Sequence, residues 1–218
     1  MTGEQPGYIV VEGPIGVGKT SLAQRLATHF GSELLLEEAE QNPFLERFYA
    51  DPRGAALPTQ LYFLFQRVRQ MKALRQGDLF HPVRVADFLM QKDRLFAQLN
   101  LDDDEFDLYE QAYQHVLEDV PKPDLVIYLQ APVSVLMERI KKRNRFFEQP
   151  IDSAYLQRLV DAYAQFFYQY DESPLLIVNA SEIDPVSNDL DYEALVEQLC
   201  SIKSGRHFFN PLPFELSK

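Results

Sequence analysis

Short apolar runs alternate along this chain with longer stretches in which apolar residues recur every three or four positions. The runs are Tyr8-Ile-Val-Val-Glu12, Glu33-Leu-Leu-Leu36, Val83-Arg-Val-Ala-Asp87, Asp124-Leu-Val-Ile-Tyr-Leu129 and Leu175-Leu-Ile-Val178. Each is short and mostly apolar, and each predicts a buried strand. Ser21 to Phe30 is apolar at 22, 26 and 30, and the stretch opened by Asp152 is apolar at 156, 159, 160, 163, 166, 167 and 170. That spacing places one face against a core and predicts helices. Further helices are predicted from Pro43 to Tyr49 with Asn42 as cap, from Thr59 to Arg75 with Gly77 as stop, and from Leu89 to Leu99. Others run from Asp102-Asp-Asp-Glu105 to before Pro121, from Pro132 to Lys142, and from Leu190 to Cys200. Gly205 to Lys218 has two prolines and no periodicity, which fits either a docked arm or a disordered tail.

Strands alternating with helices predict an α/β fold: a five-stranded parallel sheet with helices on both faces, in one domain spanning 1–218, with 1–7 and 205–218 as tails. Ligands of such sheets bind beyond the carboxyl ends of the strands. Glu37, Asp87 and the turn after Glu12 are thereby drawn to one rim.

That turn is Gly13-Pro-Ile-Gly-Val-Gly-Lys-Thr20, which fits G-x-x-x-x-G-K-[ST] at every fixed position. With Ser21, residues Gly13, Pro14, Ile15, Gly16, Val17, Gly18, Lys19 and Thr20 are expected to cradle nucleotide phosphates, because the glycines let successive N–H groups face one anion. Lys19 adds a mobile charge, and the Thr20 hydroxyl is placed to hold Mg²⁺. The helix that follows aims its N-terminus at the same phosphates. A strand before the loop and a helix after it make a ligand-free glycine turn a poor alternative and predict a P-loop nucleotide-binding fold, without saying what becomes of the nucleotide.

Composition narrows the partners. At 218 residues, 46% hydrophobic and 25% charged, the chain can fill one core. A net charge of −12 argues against a nucleic-acid binder, and no apolar run approaches membrane-spanning length. The single cysteine, Cys200, excludes an internal disulfide and reads as a small core residue. The N-terminus lacks a signal pattern, which places the protein in the cytoplasm as an expectation.

Several charged positions are candidates for the rest of the chemistry. Glu37 is placed to take a proton from a hydroxyl acceptor, or is a solvated acid at a strand end. Asp87 either binds Mg²⁺ or caps the next helix. Arg139-Ile-Lys-Lys-Arg-Asn-Arg145 holds five of the chain's 21 basic residues. Such a segment suits a lid over a triphosphate; a helix C-terminus also favours cations. Gln60 and Arg67 lie seven residues apart, on one face of the long helix, beside Leu61-Tyr-Phe-Leu-Phe65. A flat base in an apolar slot, or plain surface exposure, fits that pair.

Taken together these residues resemble the deoxynucleoside kinase family from about Tyr8 to Val178. Glu12 to Thr20 is close to the family's own phosphate loop. Glu37-Glu-Ala-Glu-Gln-Asn-Pro43 resembles the segment whose first glutamate is the catalytic base, which maps to Glu37 and not Glu38. The resemblance implies that Tyr49 and Glu148 hold the sugar 3′-hydroxyl, and that Gln60, Arg67 and Asp93 read the base. It implies that Arg139, Arg143 and Arg145 are lid arginines, and that Asn179 to Pro185 lies against the donor adenine. One departure is clear: the family has Asp/Glu-Arg-Ser where this chain has Asp87-Phe88-Leu89. Phe88 cannot replace the arginine, so a lid arginine substitutes or catalysis is weaker. The expected activity is transfer of the ATP γ-phosphoryl to the 5′-hydroxyl of a deoxynucleoside, deoxyadenosine favoured, with Mg²⁺, in a homodimer. The rivals are a monophosphate kinase of the thymidylate type and a non-catalytic ATP-binding module.

Overall fold

The computed structural model describes residues 6–52, 54–76, 83–116 and 120–210. A parallel sheet of six strands runs through its centre in the order β2-β3-β1-β4-β5-β6. The strands are β1 (Tyr8–Glu12), β2 (Glu33–Leu35), β3 (Arg84–Ala86), β4 (Leu125–Gln130), β5 (Leu175–Asn179) and β6 (Arg206–Phe209). Every neighbouring pair is parallel, with Ile9 opposite both Val85 and Leu125. All five residues of β1 and the first five of β4 are buried, as a sheet covered on both faces requires.

The sheet is one strand wider than the apolar runs predict. The extra strand comes from the C-terminal stretch, which is a docked arm as far as Phe209; 211–218 lie outside the described residues. β6 pairs with β5 alone, and only Phe209 of its four residues is buried. An exposed edge of four residues leaves no apolar run to read.

The helices are α1 (Lys19–Phe30), α2 (Leu45–Ala50), α3 (Ala56–Gln76), α4 (Lys92–Asn100), α5 (Asp103–Val116), α6 (Val133–Arg143), α7 (Ser153–Gln169) and α8 (Asp189–Ser201). α2 begins later than Asn42-Pro43 suggests, because a 3-10 turn at Ala39–Gln41 precedes it. The cap position falls to Phe44, which has no side-chain cap bond, and Asn42 instead closes the turn before the helix by accepting the Phe44 N–H at 3.0 Å. Asp152 does cap α7, accepting the Tyr155 N–H at 2.7 Å. Gly77, the expected stop of α3, lies outside the described residues. Cys200 is exposed, not a core residue, since the buried face of α8 is Tyr192, Leu195, Val196 and Leu199.

α7 buries Leu156, Leu159, Tyr163 and Phe167. The Phe167 ring stacks on Tyr128 of β4 at 4.0 Å between centroids, and the Tyr163 hydroxyl donates to Glu12 at 2.9 Å. One helix face thus supplies both packing and a buried polar tie to the strand that carries the phosphate loop. A separate apolar cluster of Leu45, Phe48, Ala55, Ala56 and Phe63 joins α2 to α3. This cluster sets one wall of the site.

Candidate active site

β1 lies between β3 and β4, so the crevice at its carboxyl end is where the strand order reverses. The phosphate loop fills that crevice. Gly13 has φ of 150°, and a Cβ there would sit 2.4 Å from the Leu129 carbonyl oxygen of β4. Gly16 (φ 85°) and Gly18 (φ 107°) complete the turn into α1. Lys19 Nζ donates to the Gly13 and Pro14 carbonyls at 2.7 and 3.2 Å. Burial, then the neighbouring Lys92 ammonium, pushes the Lys19 pKa down to about 8.

Glu37 follows β2 and Asp87 follows β3, and the two are joined. The Glu37 N–H donates to Asp87 Oδ1 at 2.6 Å, and the Thr20 hydroxyl donates to Asp87 Oδ2 at 2.6 Å. Burial raises the Asp87 carboxyl, while the Thr20 hydrogen bond works against that. A hydroxyl and a carboxylate in contact beside a phosphate loop fit Mg²⁺, which takes few protein ligands and leaves the rest to water and phosphate oxygens. No group of three or more His, Cys, Asp or Glu side chains forms a metal cage among the described residues.

The Glu37 side chain is 19% exposed and is gripped from two sides. Arg67 of α3 pairs with Oε1, and Lys92 of α4 donates to Oε2 at 2.7 Å. Burial would raise this carboxyl; Lys92, then Arg67 and Lys19, outweigh it and hold the group far below the ordinary carboxylate range. Arg67 also pairs with Asp93, so one guanidinium spans Glu37 and Asp93. Arg67 Nε and Asp93 Oδ2 are buried with no hydrogen-bond partner among the described residues. Both therefore retain capacity for a ligand.

One cavity is lined by Gly16, Lys19, Thr20, Glu37, Tyr49, Gln60, Arg67, Asp87, Asp93, Arg143, Arg145 and Glu148. Phe48, Phe63, Phe96 and Phe147 give it apolar walls. Arg143 forks onto Glu148 with contacts of 3.1 and 2.5 Å, and Arg145 pairs with Glu40 at 2.9 Å. Burial, then Tyr155 and Glu148, pushes the Tyr49 hydroxyl well above its ordinary value, so it stays a donor.

Not every candidate converges. Arg139 donates to the Val17 and Ala180 carbonyls at 3.1 and 2.8 Å. It ties the phosphate loop to the start of the 179–185 loop instead of lining the acceptor cavity. Ser21 is exposed on α1. Two buried charges had no signal in the sequence reading: Lys92, 2% exposed, and Glu12, 0% exposed.

The sequence model of the family described as deoxynucleoside kinase matches residues 9–202. The chain is 34% identical over 197 residues to deoxyguanosine kinase of Bacillus subtilis, covering 86% of this chain and 93% of that one. It is 33% identical over 195 residues to deoxyadenosine kinase of Lactobacillus acidophilus, covering 83% and 88%. Among solved structures it is similar to deoxyadenosine kinase from M. mycoides with the products dCMP and a flexible dCDP bound. The TM-score there is 0.78 at 28% identity, covering 89% of this chain and all of that one. With phosphate loop, paired carboxylates and basic lid segment on one sheet rim, the chain belongs to the deoxynucleoside kinase family.

Proposed function

We propose that the protein transfers the γ-phosphoryl of ATP to the 5′-hydroxyl of a purine deoxynucleoside, deoxyadenosine first among them. The observation that carries this reading is that Glu37 and the phosphate loop line one cavity, with the carboxylate gripped by Arg67 and Lys92. The names of the relatives, deoxyguanosine and deoxyadenosine kinases, support a purine.

The acceptor's base lies between Phe48, Phe63 and Phe96, with Gln60, Arg67 and Asp93 supplying its polar contacts. Tyr49 and Glu148 hold the sugar. Glu37 takes the 5′-hydroxyl proton as that oxygen bonds to the γ-phosphorus and the bond to the ADP oxygen breaks. Lys19, Arg143 and Arg145 balance charge on the transferring group, and Arg139 fixes the loop that carries the donor. Mg²⁺ held at Thr20 and Asp87 supplies neutralisation of the donor phosphates. One domain carries both sites, and the working assembly is a homodimer in the cytoplasm with no nucleic-acid or membrane partner. Among the described residues no helix is long and apolar enough to cross a membrane.

A monophosphate acceptor fits less well. Among the described residues, the two cations in contact with Glu37, Arg67 and Lys92, are each committed to carboxylates and leave that end of the cavity without a free partner for a second phosphate. A panel of deoxynucleosides and their monophosphates assayed with labelled ATP tests the reading. Transfer to deoxyadenosine ahead of the others is expected; transfer only to monophosphates, or to nothing, contradicts it.

A further inference from the structure

Lys92 is a buried charge for which the transfer scheme above has no task. It is the first residue of α4, where the helix dipole opposes a cation, and its side chain is 2% exposed. A lysine so placed needs compensating anions. Two are present: Glu37 Oε2 at 2.7 Å and Glu12 Oε1 at 3.8 Å.

Neutralising Glu12 does not account for it. Glu12 already accepts the Gly13 N–H at 2.9 Å, the Leu89 N–H at 2.6 Å and the Tyr163 hydroxyl at 2.9 Å. The shorter contact is to Glu37, and Lys92 itself lines the cavity. Glu12 ends β1 and binds the first N–H of the phosphate loop, so the ammonium joins the root of that loop to the acceptor-side carboxylate. Phe88 cannot act here. It is fully buried, with its ring 5.7 Å from the Arg67 guanidinium carbon, whereas Lys92, four residues on, reaches the cavity.

We propose that Lys92 is the positioning residue for Glu37, holding Oε2 at a fixed place relative to the phosphate loop while the acceptor hydroxyl approaches. This rests on Glu37 being the base. Arg67 grips the other oxygen and is itself shared with Asp93, a cavity-lining residue. Lys92 is tied to the donor side and fixes the base against the γ-phosphoryl. Its loss should therefore fall on turnover and spare ground-state binding.

The test compares Lys92→Met, Lys92→Arg, Glu37→Gln and the Lys92→Met/Glu37→Gln double variant. Initial rates are measured with deoxyadenosine and ATP, and ATP Kd by calorimetry. Lys92→Met is expected to lower kcat about 10²-fold, with acceptor KM and ATP Kd within about threefold of native. Lys92→Arg should recover about tenfold or more of that loss. Added to Glu37→Gln, Lys92→Met should cost less than about threefold further, because the two act as one unit. A near-native kcat in Lys92→Met, no recovery in Lys92→Arg, equal damage to Kd and kcat, or full multiplication with Glu37→Gln overturns the proposal and leaves Glu37 as base. Near-native turnover in Glu37→Gln alone removes the base, and the positioning role with it. Should Lys92→Met not fold, Lys92→Gln, which retains a donor, carries the same comparison.

Discussion

The Glu37 backbone N–H and the Asp87 carboxylate meet at 2.6 Å, which fixes the segment after β2 to the end of β3. Because the other Asp87 oxygen takes the Thr20 hydroxyl, Glu37, Asp87 and the phosphate loop form one chain of contacts. Asp87→Asn breaks it, since an amide offers one acceptor where two are used. The Mg²⁺ concentration for half-maximal rate is expected to rise about tenfold, as when a metal site's supporting contacts are removed. An unchanged Mg²⁺ dependence would take Asp87 out of the metal site.

Arg67 bridges two carboxylates, Asp93 and Glu37, to which the proposed reaction gives different tasks, one at the acceptor's base and one at its hydroxyl. Arg67→Met should therefore raise the deoxynucleoside KM more than the ATP KM and also lower kcat, each by about tenfold or more. Steady-state kinetics with each substrate varied in turn reads this. Equal effects on both KM values would argue against base recognition by Arg67.

The grip on Glu37 also links stability to pH. Its folded pKa lies well below the unfolded value of about 4.3. The pairing contributes fully above that value and loses its contribution as the pH falls below it. Glu37→Gln leaves two buried cations each short of a partner, at a cost of about 3 kcal/mol, the low end of the range because Arg67 keeps Asp93 and Lys92 keeps Glu12. For a domain of this size that lowers Tm by roughly 5–10 °C at pH 7. The difference from native should narrow as the pH is taken from 7 to below 4. A gap of constant size across that range would mean the carboxylate is not specially held.

What the sequence revealed depended on how local each feature is. The phosphate loop is legible because its conformation is set within eight residues, by glycines where a side chain would strike Leu129 or demand a left-handed backbone. β1 and β4 are legible because burial on both faces leaves nearly unbroken apolar runs. β6 is not, since it meets only β5 and shows three of its four residues to partial or full solvent. The basic segment at the C-terminal end of α6 gave its composition but not its directions. Arg143 and Arg145 turn to the cavity, while Arg139 turns to two backbone carbonyls. Lys92 was illegible for a stronger reason. Lysines usually stay at the surface, and its partner Glu37 is 55 residues away in sequence. Only the fold brings the compensating charge within reach.

The central claim is that Glu37 removes the acceptor proton while the phosphate loop holds the donor. The turnover number of Glu37→Gln at saturating ATP and deoxyadenosine tests it most directly, with ATP affinity as the accompanying control. A fall of roughly 10²- to 10⁴-fold with native-like ATP binding is predicted. Turnover within a few-fold of native would contradict the claim.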